Sequence, residues 1–166
     1  MTELHERKKI RLRDYDYSSN GMYFITIGIK DKHGILWETP VGARIARPQL
    51  SDIGNIVAST IENIPRIYEH MQIEKYVIMP NHVHMILAID WCDGRAMRAP
   101  TISRVICQMK GYVTKQIGYS IWQKLFYDRI IRDATEYQRI WQYIDDNPAR
   151  WAEDEYYISV AERAGI

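Results

Sequence analysis

Cysteine is scarce: Cys92 and Cys107 are the two among 166 residues, far apart and in no CxxC pair. That count argues against a disulfide framework and against a zinc ribbon, and a reducing compartment is expected. No run approaches the roughly 20 apolar residues of a membrane-spanning helix. The opening MTELHERKKIRLRDYDY has no apolar signal-peptide core either, so a cytoplasmic, nucleoid-associated protein is expected. A dominant sign of charge is also missing. Twenty-two Lys and Arg against 21 Asp and Glu leave +1, so any nucleic-acid binding has to come from local patches. Phe is down to two, whereas Tyr reaches twelve and Trp five, a polar-tipped aromatic set suited to half-wet surfaces. With 46% apolar and 26% charged residues the chain is not disordered, and its length suits one domain over 1–166.

What is present reads as an alternation of strands and helices. Residues 1–17 form a basic arm with Arg7, Lys8, Lys9, Arg11 and Arg13 ahead of Tyr15 and Tyr17. It is either a solvated tail or a strip that grips phosphates beside aromatics able to stack on bases. Met22–Ile29 alternates as a strand, and Asp31-Lys32-His33-Gly34 reads as a hairpin turn into a short strand near 35–37. Residues 38–50 and 91–100 read as loops. Helical spacing begins at Ser51 or Asp52 and reaches a limit or kink at Pro65. Ile73–Met79 and Val83–Ile89 are two strands meeting at Pro80-Asn81. A second amphipathic helix carries Ile102, Val105, Ile106, Met109 and Val113, with Lys110 and Lys115 among its basic residues. A strand follows over 125–131, then a helix from Ala134 to Asn147 that starts at Asp133 and stops at Pro148. This order predicts an α+β, ferredoxin-like antiparallel sheet with helices packed on one face.

The sharpest motif is Pro80-Asn81-His82-Val83-His84. Side chains two apart on a strand share a face, so the imidazoles of His82 and His84 project together and can hold a divalent metal. An ordinary structural pair is the alternative. The last helix offers partners: Tyr143 and Asn147 are four apart, hence on one helical side. Tyr143 is a boundary tyrosine or a nucleophile, and Asn147 a helix terminator or a ligand. Tyr112, between Lys110 and Lys115, competes as nucleophile. His5, His33 and His70 are expected at the surface.

These residues resemble the HUH motif (His, hydrophobic, His) of single-tyrosine transposases, the REP-associated tyrosine transposases above all. The likeness runs through ordered blocks: 9–17, Gly21-Met22-Tyr23-Phe24, 76–84, 110–115, Trp122-Gln123, Ile130-Ile131-Arg132-Asp133 and 143–148. The resemblance implies a metal-dependent single-stranded DNA transesterase, an endonuclease and strand transferase that works through a 5′-phosphotyrosine. By position Tyr143 matches the catalytic tyrosine, while His82, His84 and Asn147 match the ligands of Mg²⁺ or Mn²⁺. Three neutral ligands leave the cation its full charge for a phosphate. Arg7, Lys8, Lys9, Arg11, Arg13, Lys110 and Lys115 are the expected DNA contacts, on hairpin or single-stranded DNA of palindromic repeats. Activity is expected to fall below about pH 6.5, where imidazoles protonate. The protein is expected as a monomer or a homodimer, with Tyr143 acting in cis or in trans. A non-catalytic nucleic-acid-binding module and a small metal-dependent hydrolase are the alternatives.

Two loops look alike: Gly42-Ala43-Arg44-Ile45-Ala46-Arg47-Pro48 and Gly94-Arg95-Ala96-Met97-Arg98-Ala99-Pro100. Both, the first together with Val41, can be encoded with the arms GGGCGCGC and GCGCGCCC, which are reverse complements. They are either palindromic elements inserted in the gene or two arginine-bearing loops that hold DNA.

Overall fold

In a computed structural model, residues 20–38, 49–90 and 100–153 are described. The elements are β1 Gly21–Gly28, α1 Asp52–Glu62, α2 Ile64–Ile67, β2 Met71–Met79, β3 His82–Ile89, α3 Ile102–Ile117, β4 Tyr127–Ile131 and α4 Ala134–Asp146. The strands form one antiparallel sheet in the order β2-β3-β1-β4. This is the expected ferredoxin-like arrangement. The arm 1–17, with His5, and the loop residues 39–48 and 91–99 lie outside the described residues.

Local signals explain the helix limits. The Ser51 hydroxyl accepts from the Gly54 N–H, Thr101 from Arg104 and Asp133 from Glu136, each satisfying an amide with no intrahelical partner. Gly118, at φ 85°, ends α3 in the left-handed conformation that costs glycine nothing. Pro65 stands in the first turn of α2, where its missing N–H is harmless, so the expected kink falls between α1 and α2.

Odd-numbered residues of β1 and β3 face one way. Tyr23, Ile25, Ile27, Val83, Met85 and Leu87 are all fully buried against α1 (Val57, Ile61) and α3 (Val105, Ile106, Met109, Val113). α1 and α3 thus share one face, as expected. A difference is that α4 crosses to the other side. Its stripe of Tyr137, Ile140, Trp141 and Ile144 packs on Phe24, Val77 and Ile86, so both faces carry a helix. The physical reason is that this face also carries apolar residues, Phe24 on β1, Ile86 on β3 and Val77 across from His84 on β2, which need cover. Burying Ile144 alone contributes roughly 1.5–3 kcal/mol. Lys75 then ties α4 to β2 through Asp145 (2.5 Å) and the face of Trp141 (4.1 Å).

Two local expectations fail. Asp31 and Lys32 form a 3-10 turn rather than a hairpin turn, and residues 35–37 do not pair with β1. The chain leaving β1 is claimed elsewhere: the Ile29 N–H donates to Asn81, Lys30 to Ile121 and Leu36 to Pro80. Trp37 makes a single bridge to Leu50 instead. β4 begins at Tyr127, two residues late, where the Leu125 carbonyl is taken by the Lys110 ammonium at 3.3 Å.

Candidate active site

The site lies on the even face of the sheet, where β3 brings His82 and His84 together. Their ring centroids are 4.5 Å apart, and the two residues are 0% and 2% exposed. Val83 points into the opposite core, as strand alternation requires. Buried imidazoles need hydrogen-bond partners, and both have one on the Nδ1 side. The Asn81 amide nitrogen donates to the Lys32 carbonyl (3.0 Å), so its oxygen is left to accept from His82 Nδ1 at 2.9 Å. That choice puts the His82 lone pair on Nε2. For His84, Nδ1 meets the Thr26 hydroxyl at 2.8 Å across the β1–β3 pair Thr26↔His84. Such outer partners orient metal-binding imidazoles and fix their tautomer.

Burial pushes His82 down to about pKa 3, because the charged ring would have to leave water. His82 is therefore neutral at pH 7 and far below it.

α4 supplies the rest. Its packing angle sets Tyr143 at the rim of the apolar stripe, 42% exposed, with its hydroxyl 3.2 Å from His84 Nε2 of the same chain. Phe24 holds the pair in place, stacking on His84 (5.2 Å, 24°) and meeting Tyr143 edge-on (6.1 Å, 84°). One turn later Asn147 caps α4 and is 4% exposed; its backbone N–H donates to the Tyr143 carbonyl. Neither atom of its side-chain amide has a hydrogen-bond partner among the described residues. Leaving a buried amide unpaired costs on the order of 1–3 kcal/mol, so this amide is poised for a ligand. The chain then turns, and Trp151 reaches the His82 ring at 5.9 Å. Residues on either side of Asn147 thus touch the two histidines.

Among the described residues no three His, Cys, Asp or Glu side chains gather into a metal cluster. The available donor set is two imidazoles and one amide, all neutral. It fits a divalent cation on two observations: His82 is held unprotonated, and the buried Asn147 amide is orphaned.

Other candidates lie elsewhere. α3 covers the odd face, so Tyr112 (54% exposed), Lys110 and Lys115 are on the far side of the sheet from the histidines. Tyr112 is thereby removed as a competitor. The Lys110 ammonium donates to the Gln123 and Leu125 carbonyls at 3.0 and 3.3 Å, and burial lowers its pKa. These two bonds clamp the segment before β4. Lys115 is exposed on the last turn of α3. Arg7, Lys8, Lys9, Arg11 and Arg13 fall outside the described residues. His33 is exposed, and the His70 carbonyl accepts from Asp90 in the turn before β2.

Sequence reasoning missed Thr26, Phe24 and Trp151. A threonine in an otherwise apolar alternation was a legible signal for the first. Nothing in the sequence places Trp151 beside His82, because that contact depends on how the chain turns after α4.

Comparison with known proteins agrees with this architecture. No protein-family model matches the chain. An uncharacterized protein of Haemophilus influenzae is 35% identical over 93% of this chain and 95% of that one. A solved REP-associated tyrosine transposase bound to a REP hairpin superposes with a TM-score of 0.64 at 22% identity, over 85% of this chain and 73% of that one. Among the described residues no helix is long and apolar enough to cross a membrane. The chain belongs to the same family as the Haemophilus influenzae protein, and it has the fold of the REP-associated tyrosine transposase whose sequence blocks it resembles.

Proposed function

We propose that this chain is itself a REP-associated tyrosine transposase, cleaving and rejoining single-stranded DNA with Tyr143 as nucleophile. The observation that carries the reading is the Tyr143 hydroxyl 3.2 Å from His84 Nε2, on a half-open rim. The phenol oxygen attacks the phosphorus in line with the 3′ oxygen. A Tyr143–phosphate bond forms as the phosphorus–O3′ bond breaks, leaving a 5′-phosphotyrosine and a free 3′-hydroxyl. The phenol gives up its proton and the departing 3′ oxygen takes one. A phenol of ordinary pKa near 10 is a weak nucleophile at pH 7, so its surroundings must favour the anion.

His82, His84 and Asn147 are the residues that would hold Mg²⁺ or Mn²⁺. When bound, such a cation supplies positive charge to the non-bridging phosphate oxygens. Thr26 and Asn81 keep the two rings aimed, and Phe24 keeps Tyr143 against them. Energy kept in the phosphotyrosine allows the strand to be rejoined without ATP.

The proposed substrate is hairpin-bearing single-stranded DNA, the kind of element seen with the transposase of the same fold. The two Gly-Ala-Arg loops bear on this. The Glu38 N–H donates to Gln49 at 2.9 Å and Trp37 pairs with Leu50, which closes the neck of the first loop. Added codons there leave the fold on either side intact. Complementary arms in the gene at both loops would identify a palindrome of the substrate type, and codons without such arms would leave two arginine loops.

The test is incubation with labelled hairpin-bearing single-stranded DNA and Mn²⁺, followed by denaturing electrophoresis. A covalent adduct is expected from the wild type and none from Tyr143→Phe, with DNA binding retained. An adduct in Tyr143→Phe places the nucleophile elsewhere. Binding without any adduct reduces the protein to a binding module, and turnover without an adduct makes it a hydrolase.

A further inference from the structure

Beside the histidine pair the sheet has a notch. The cross-strand partner of His82 is Gly28, and even positions of β1 share the histidine face, since Thr26 bonds to His84. Cross-strand neighbours stand about 4.5–5.5 Å apart at their Cβ atoms, so a side chain at position 28 would lie against His82. Gly28 provides none. The space is filled from outside: a Cβ at Gly28 would fall 2.7 Å from Gln123 Oε1, 2.8 Å from its Cδ and 3.1 Å from its Nε2. The carboxamide of Gln123 therefore occupies the place where the His82 neighbour should be.

Its backbone is pinned at several points. The Gln123 N–H donates to the Gly28 carbonyl at 2.9 Å, and the Gln123 carbonyl accepts from the Lys110 ammonium at 3.0 Å. The preceding Trp122 bridges Ile29 and donates through its indole to the Lys110 carbonyl at 3.2 Å. By contrast, the Gln123 side chain is exposed and makes no hydrogen bond among the described residues. A held backbone, a missing Cβ and an uncommitted amide at the mouth of the histidine site form a built donor.

We infer that the Gln123 carboxamide is a further substrate-contacting group, donating its N–H to a non-bridging oxygen of the DNA phosphate bound at His82 and His84. The inference rests on the proposed function and deepens it. A neutral donor suits this place, because it stabilises a phosphate as it gains charge without repelling a cation next to it. Gly28 is the permissive residue and Gln123 the acting one. The glutamine tip is flexible, so a methyl at position 28 displaces the amide at little cost to folding.

The experiment measures the rate and the half-saturating DNA concentration of adduct formation in single turnovers with Mn²⁺. Gln123→Ala is expected to slow adduct formation about ten- to a hundredfold, as for a hydrogen bond to a charged group, with little change in half-saturation. Gln123→Glu is expected to be slower still. Gly28→Ala should reproduce the Gln123→Ala defect while melting near the wild type, and should add nothing in a Gln123→Ala background. A methylphosphonate at the cleaved position, which replaces one charged oxygen, should erase the difference between wild type and Gln123→Ala for the isomer lacking the contacted oxygen. A structural role would leave that difference unchanged in both isomers. Wild-type rates in Gln123→Ala overturn the inference while leaving Tyr143 in place. If the wild type itself forms no adduct, it is the proposed function that fails.

Discussion

The two faces of β3 are equally dry and do opposite work. On the odd face Val83, Met85 and Leu87 join one apolar cluster with α1 and α3. On the even face Ile86 alone joins an apolar cluster, while His82 and His84 are just as buried yet are held by hydrogen bonds to Asn81 and Thr26. Burial does not separate core from site in this molecule; what separates them is the cover. α3 seals its face with an unbroken aliphatic stripe, whereas α4 lays its apolar side over Ile86 and Val77 and brings Tyr143 to the rim, where the histidines begin. One helix thus both closes half a core and sets Tyr143 beside His84 at its edge.

The comparison breaks most sharply by deleting one residue from each face. His84→Ala is expected to reduce adduct formation by a hundredfold or more. Met85→Ala is expected to cost about 2–5 kcal/mol in stability and to retain adduct chemistry at temperatures where it remains folded. Thermal melts and adduct assays on the same preparations check both. If Met85→Ala loses the chemistry while folded, the faces are not separable.

A smaller effect is expected behind the histidines. Thr26→Val keeps the shape and removes the partner of His84 Nδ1, which should lower metal affinity or activity about ten- to a hundredfold, with Thr26→Ser restoring it. Equal activity in Val and Ser variants would show that the ring is held by packing on Phe24 alone.

The pH dependence of stability sharpens the contrast. An unfolded histidine titrates near 6.5, whereas buried His82 resists protonation down to about 3. Between these values the unfolded chain takes up a proton that the folded chain refuses. Stability contributed above pH 6.5 is therefore lost as the pH falls toward 3, at roughly 1.4 kcal/mol per pH unit. Denaturant unfolding of metal-stripped protein should show this slope, and His82→Gln should flatten it. The smallest effect belongs to the odd side: Lys110→Met is expected to cost about 1 kcal/mol and to leave the salt dependence of DNA binding unchanged. A shallower salt slope would return that ammonium to the DNA.

Much of this was legible in advance. Alternation marked β1, β2 and β3, helical spacing marked α1, α3 and α4, and the caps Ser51 and Asp133 stand where their side chains predicted. The same-face placement of His82 and His84 follows from strand geometry alone. The segment 29–37 was misread because its turn residues suggest a hairpin, while its amides are claimed by Asn81, Ile121 and Pro80 from distant parts of the chain. Spacing likewise shows Lys110 as a basic residue on a helix but not the two carbonyls that its ammonium reaches.

The sequence by itself determined which residue types share a strand face or a helix side, because the periods 2 and 3.6 are local properties of the backbone. It also determined which donor groups a site can draw on, two imidazoles, an amide and a phenol. The tertiary structure decided which face α4 covers, and so whether Tyr143 meets the histidines. It also decided that Tyr112 lies beyond the sheet and that Gln123 fills the notch at Gly28. Those outcomes depend on packing between segments far apart in the chain, where the apolar area of the whole sheet chooses the partner and no local period records the choice.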